Sequence, residues 1–187
     1  MTREKRRETA DLTYAAMGAA LIAVCPWISV PTTVPFTTQT FAVFCVLSAM
    51  GGRRGLMAIA VYLLLGAAGL PVFAGSRGGL GVLLGVTGGY IVGFLFTGII
   101  YALAERRLGG RLWPEAGVLA LGMAVCYAFG TAWFMVAYAR ASGPVGLGAA
   151  LGMCVAPFLL PDMAKLALAL YVSRRVRALS RRPAKPA

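Results

Sequence analysis

The chain has 187 residues, of which 59% are apolar and only 13% charged, with 18 Lys and Arg against 6 Asp and Glu for a net charge of +12, and its mean hydropathy is +0.79. A soluble domain carries about a quarter charged residues, so this composition excludes an ordinary soluble globular domain. The cations sit in short clusters between apolar blocks, which excludes a nucleic-acid-binding face, and the absence of histidine excludes histidine metal sites, triads and proton relays.

Six apolar blocks follow one another along the chain. Residues 1–24, MTREKRRETADLTYAAMGAALIAV, have the basic start and apolar run of a signal peptide, but five more apolar blocks follow, so the segment reads as a retained first helix. The blocks are Leu12–Val30, Thr37–Met50 (a short one), Leu56–Leu70, Leu83–Ala104, Ala116–Tyr138 and Pro157–Val172, the last with a possible start near Leu147. Helices satisfy every backbone group in lipid, and these blocks lack the alternation of a barrel strand. The expectation is an all-α integral membrane protein of six transmembrane helices. It divides into a basic tail (1–11), a six-helix membrane domain (12–173) and a second basic tail (174–187).

Charge sets the orientation. The N-terminal tail carries Arg3, Lys5, Arg6 and Arg7, the second connection Arg53 and Arg54, and the fourth Arg106, Arg107 and Arg111. Arg174, Arg175, Arg177, Arg181, Arg182 and Lys185 follow the last block, so fifteen cations fall on one side against Arg77 and Arg140 on the other. The positive-inside rule then puts both termini in the cytoplasm. The other connections are rich in Pro and Gly yet hold Val34, Phe36, Val72 and Phe73, so they are expected to fold back and cover something. The tail after Leu179 is expected to be mobile.

Three features stand out. In helix one, Ala15/Ala19 and Ala16/Ala20 give small-xxx-small spacing, which lets another helix approach, within the chain or from a partner. Gly85-Val86-Thr87-Gly88-Gly89-Tyr90 combines small residues for close packing with a hydroxyl suited either to a polar ligand or to an interfacial anchor. In the sixth block, Asp162 and Lys165 share one helix face. A charge at the middle of a membrane helix costs about 2.5–3.5 kcal/mol. The pair is either an internal ion pair or a polar ligand site, and intramembrane ionisable residues usually mark substrate pathways. Pro157 and Pro161 are expected to kink the helix beside it.

Several chemistries are missing. Cys25, Cys45, Cys126 and Cys154 form no CxxC and read as small buried hydrophobes. No GxxxxGK[ST] is present, and no carboxylate pair or Ser/His/Asp set can be built. The chain is therefore read as neither an ATPase nor an enzyme.

The segments Ile28–Pro31 and Val34–Thr40 resemble the first outer loop of the BioY family, the biotin-binding substrate (S) components of energy-coupling-factor (ECF) transporters. Gly69–Gly75, Gly78–Gly85 and Thr87–Phe94 are similar to that family's central signature, and Pro161-Asp162 with Lys165 to its sixth-helix motif. The likeness runs from about residue 12 to 173. Val86 departs from it, standing where the family often has proline. The resemblance implies an S-component fold in a bacterial cytoplasmic membrane, with biotin bound near the outer face beneath two loops. It also implies a transmembrane coupling protein docked on Ala15, Ala16, Ala19 and Ala20, and ATP used only by partner ATPase subunits, with no cofactor in this chain.

Matched to that ligand, Asp162 is the acceptor for the ureido N–H groups, and Lys165 a donor to the ureido carbonyl. Gln39, Thr87 and Tyr90 add neutral hydrogen bonds, and Phe36, Val72 and Phe73 cover the apolar rings. Arg77 is the candidate partner of the ligand carboxylate, or else a solvated loop residue. Two other readings stay open: a solitary secondary transporter working as a homo-oligomer with Asp162 coupling protons, and a membrane scaffold subunit with no ligand.

Overall fold

The computed structural model describes residues 3–30 and 36–180. In chain order these form α1 (Arg3–Val24), a 3-10 turn (Cys25–Trp27), β1 (Ser29–Val30), β2 (Phe36–Thr37), α2 (Gln39–Met50), α3 (Gly52–Ala67), α4 (Leu80–Leu83), α5 (Gly88–Leu108), α6 (Leu112–Ser142), α7 (Leu147–Cys154) and α8 (Ala156–Ser180). Among the described residues, four segments are long and apolar enough to cross a membrane: Glu8–Trp27, Gly88–Leu108, Leu112–Ser142 and Ala156–Leu179. At 1.5 Å per residue, α2 spans about 18 Å, well short of a bilayer core of about 30 Å. It is apolar around its whole circumference because it runs through the centre of the bundle, with Ala42 to Ser48 all buried. Phe44, Leu47, Ile59, Tyr62 and Leu119 form the core. The outer faces are apolar as well: Leu103, Trp113 and Leu160 are 76%, 83% and 82% exposed, as suits a surface that meets lipid rather than water.

The six blocks are helical, but their limits differ from the sequence reading in four places. The first helix stops at Val24, because Pro26 opens a 3-10 turn and residues 29–30 pair antiparallel with 36–37. The fourth block is broken: α4 ends at Leu83, and α5 starts only at Gly88, after a turn whose Gly85 carbonyl accepts from the Gly88 amide (3.1 Å) and from the Trp133 indole N–H (2.9 Å). The sixth block divides at Val155 into α7 and α8. Pro157 has no N–H to give the Met153 carbonyl and its ring crowds that carbonyl, so a single helix does not run through. Inside α8, Pro161 has no N–H to give the Pro157 carbonyl, yet the helix continues. Lastly, the basic clusters belong to helices, since Arg53 and Arg54 open α3 and Arg174, Arg175 and Arg177 lie in α8. The α2–α3 connection is Gly51 alone, at a φ of +89° that favours glycine.

These helices bring their charged ends together. Arg54 Nε lies 2.6 Å from Asp11 Oδ1, the Gly52 amide donates to Glu105 Oε2 at 2.8 Å, and Arg177 lies 3.0 Å from Glu115 Oε2. At the opposite end the Trp27 indole N–H donates to the Pro71 carbonyl at 3.3 Å. There the Phe73 ring packs edge-on to Tyr62, with centroids 5.5 Å apart. A Cβ at Gly66 would collide with that ring, so only glycine lets the loop after α3 press into the bundle.

Candidate functional site

At the weakly charged end, α2, α5, α6 and α8 enclose a cavity of about 90 Å³. Thr37, Gln39 and Thr40 form one wall, and Thr87, Tyr90, Ile91 and Phe94 from the start of α5 form another. Met123, Cys126 and Tyr127 from α6, and Cys154, Phe158 and Asp162 from α7 and α8, complete it, with Ala74 of the folded-back loop at its edge. The walls are mostly apolar with a few fixed polar groups, the usual form of a small-molecule site.

Asp162 is the electrostatic centre of this cavity. It is 3% exposed. Its Oδ1 accepts from Thr40 Oγ1 and from Lys165 Nζ, both at 2.8 Å, and its Oδ2 accepts from the Tyr127 hydroxyl at 2.5 Å. Two carboxylate oxygens offer about four acceptor positions, so these three donors leave one. A buried carboxylate needs a paired charge and hydrogen bonds to stay in place, and Lys165 supplies the charge from one turn away. The same ammonium donates to the Thr37 carbonyl at 2.7 Å, which ties the end of β2 to α8.

The opposite wall is positioned by α5 against α6. The Tyr90 and Thr131 hydroxyls lie 3.0 Å apart, and the Cys126 thiol donates to the Tyr90 carbonyl at 3.4 Å. A Cβ at Gly130 would enter the Tyr90 ring, so this glycine sets how close that ring comes to α6. Gln39, itself buried, donates through Nε2 to the Tyr62 hydroxyl at 2.7 Å.

Asp162, Tyr90, Thr87 and Gln39 therefore meet at one cavity, as the sequence reading expects. Lys165 stands behind Asp162 rather than on the lining. Phe73 is fully buried under the loop and supports the wall without facing the cavity. Arg77 is exposed, engages Phe73 only through its backbone carbonyl (2.9 Å), and is not brought to the cavity. The Phe36 side chain and residues 31–35, with Val34, lie outside the described residues. The alanine stripe of α1 divides. Ala15 and Ala19 are buried, on the side where Gly18 meets Ala58 of α3, so these two are packed within the chain and not offered to a partner. Ala16 and Ala20 are exposed.

Three residues went unread in the sequence. Tyr127 and Thr40 complete the Asp162 shell, but each is an ordinary hydroxyl in an apolar block, and no local signal marks its partner. Glu115, one residue before the fifth apolar block, is 1% exposed. It accepts from Ser48 (2.6 Å), Tyr101 (2.9 Å) and Arg177 (3.0 Å). A carboxylate at the head of an apolar block, with an arginine beyond the last block, was the available signal.

The family model described as BioY family matches residues 1–182. The chain is 39% identical over 173 residues to the "Biotin transporter BioY" of Thermotoga maritima, covering 90% of this chain and 96% of that one. It is 33% identical over 172 residues to the "Biotin transporter BioY2" of Lactococcus lactis subsp. cremoris, covering 91% and 92%. A crystal structure of the S-component for biotin from an ECF-type ABC transporter shares the fold, with a TM-score of 0.81 at 24% identity over 95% of each chain.

Proposed function

The chain belongs to the BioY family, and from that premise we propose that it captures biotin for uptake as the substrate-specific component of an ECF-type transporter. The observation that carries this reading is Asp162, a buried carboxylate with one acceptor position left, set in a mostly apolar cavity. A ureido N–H fits that position as a charge-assisted bond. Lys165 pairs with Asp162 and fastens the loop strand through Thr37, so its part is to position the acceptor. Gln39, Thr87 and Tyr90 offer neutral partners around the ureido group, while Phe94, Phe158 and Met123 cover the thioether ring. In this reading Arg77, of the loop after α3, is the partner of the valerate carboxylate, and Phe36 and Phe73 cover the apolar rings.

The relatives are named as transporters, and this chain carries no phosphate-binding loop, so we assign ATP hydrolysis to partner ATPases and the docking of a coupling protein to the face bearing Ala16 and Ala20. In this reading the four long helices, with α2 and α3, make six passes across a bacterial cytoplasmic membrane. The basic end, with both tails (1–11 and 174–187), faces the cytoplasm. The membrane domain is 12–173. A homo-oligomer, or uptake by this chain alone, would show as transport without the ATPases.

The test is biotin binding to detergent-purified protein by calorimetry, with Asp162→Asn beside it. Saturable binding weakened at least about tenfold in a variant of unchanged elution is expected, roughly the loss of one charged hydrogen bond. Equal affinity in the variant removes Asp162 from the site, and no binding by folded wild type removes the function.

A further inference from the structure

The basic end of the bundle holds a second cavity that the capture of a ligand at Asp162 does not use. It has a volume of about 240 Å³ and is bounded by Gly110, between α5 and α6, and by Arg174, Arg177 and Ala178 of α8. Two arginines on its wall have different fates. Arg177 is neutralised by the buried Glu115 carboxylate, 3.0 Å away. Arg174 has no carboxylate within ion-pair distance among the described residues. Its Nη2 donates to the Gly110 carbonyl at 3.2 Å, and its Nε is buried with no acceptor. A shielded guanidinium donor without an acceptor is costly, and folded proteins seldom leave one.

The chemistry that completes this site is an oxyanion. A guanidinium presents its N–H donors in a planar fork that matches phosphate oxygens. Gly109 and Gly110 stand at φ of +55° and +72°, and at both a Cβ would meet nothing within 4 Å, so the approach is open. Nearby in the chain, Trp113 is exposed at the start of α6, and Val176 and Leu179 are exposed on α8 beside the arginines. Arginine and tryptophan beside exposed aliphatic residues mark the depth of lipid headgroups, and basic pockets between helices at that depth take anionic headgroups.

We propose that the cavity bounded by Gly110, Arg174 and Arg177 binds a phosphate oxyanion at the headgroup layer, with Arg174 as its principal ligand. The site lies at the opposite end of α8 from Asp162 and stands whether or not biotin is the cargo.

The experiment follows thermal unfolding of the purified full chain in a neutral detergent during titration with phosphatidylglycerol, phosphatidylcholine or inorganic phosphate. Phosphatidylglycerol is expected to stabilise the wild type more than the zwitterionic lipid does. The concentration giving half the effect should rise about fivefold in Arg174→Gln, the weight of one basic contact with an anionic headgroup. Arg175→Gln removes the same charge from an exposed position (its guanidinium lies over Tyr171) and should respond as wild type. Arg174→Lys, which keeps the charge but not the fork, should fall between and serves if the glutamine variant does not fold. An Arg174-dependent response to inorganic phosphate alone keeps the site and assigns it to a soluble phosphate. No preference for either phosphate source, or an equal loss in Arg175→Gln, overturns the proposal.

Discussion

The same three helices build two buried carboxylate centres, one at each end of the bundle, and the two do different things. At one end Thr40 of α2, Tyr127 of α6 and Lys165 of α8 surround Asp162. At the other, Ser48 of α2 and Arg177 of α8 surround Glu115 of α6, with Tyr101 of α5 added. Along α2 the two hydroxyls are eight residues apart, about 12 Å. Both carboxylates are almost fully buried and both are ion-paired. The difference lies in what borders them. Asp162 lines a cavity and accepts three hydrogen bonds, which leaves a position open, whereas Glu115 borders neither cavity described above and accepts four, from Ser48, Tyr101 and twice from Arg177. A buried carboxylate is thus no signature of a binding site by itself. What matters is whether its shell leaves an opening beside free volume.

The sharpest break in this comparison is Arg177→Met. It strands the Glu115 charge, and removing one partner of a buried pair costs about 3–5 kcal/mol. Chemical unfolding in micelles should show that loss, while the folded fraction keeps wild-type biotin affinity; a parallel fall in affinity would mean that the two ends are coupled. Next in size is Tyr127→Phe at the other centre. Loss of a hydrogen bond to a charged group is worth about 1.5–3 kcal/mol, so calorimetry should find biotin bound at least about tenfold more weakly. A gain in affinity would show instead that Tyr127 competes with the ligand for Asp162.

Gly130→Ala touches neither carboxylate. Its methyl enters the Tyr90 ring, and overpacking of this kind costs about 1–3 kcal/mol. Thermal stability and biotin affinity should fall together, because the displaced ring is also a wall of the cavity. The smallest effect belongs to Ala20→Trp, an exposed change expected to move stability by no more than about 0.5 kcal/mol. Binding should persist while co-purification with a coupling protein is lost; retained co-purification would move the docking face elsewhere.

The legible parts of the site were those carried by a single segment. Asp162 and Lys165 are three residues apart, so any helix puts them on one face, and they do pair. Gln39, Thr87 and Tyr90 border turn-rich segments at one end of the chain's apolar blocks, and they do share a cavity. Thr40 was not legible because its partner lies 122 positions away, and the rotation of α2 within the bundle decides which of its hydroxyls meets a carboxylate. Arg77 was assigned from its charge and its side of the chain, but Gly66 admits Phe73 into the bundle, and the Arg77 side chain is left outside. The alanine stripe was read as one surface. Burial separates its two lines, since α1 turns Ala15 and Ala19 inward and Ala16 and Ala20 outward.

By itself, the amino-acid sequence determined the helical class, the six apolar blocks, the polarity of charge between the two ends and the intramembrane pair. Each of these depends on residues within a few turns of one another, or on average hydropathy along one segment, and both are properties of the chain before it folds. Tertiary structure alone decided which carboxylate faces a cavity, which hydroxyls complete its shell and where helices break. Those outcomes rest on the axial offset and rotation of helices far apart in sequence, which close contacts such as Tyr90 on Gly130 and Phe73 on Gly66 fix to within a fraction of a side chain.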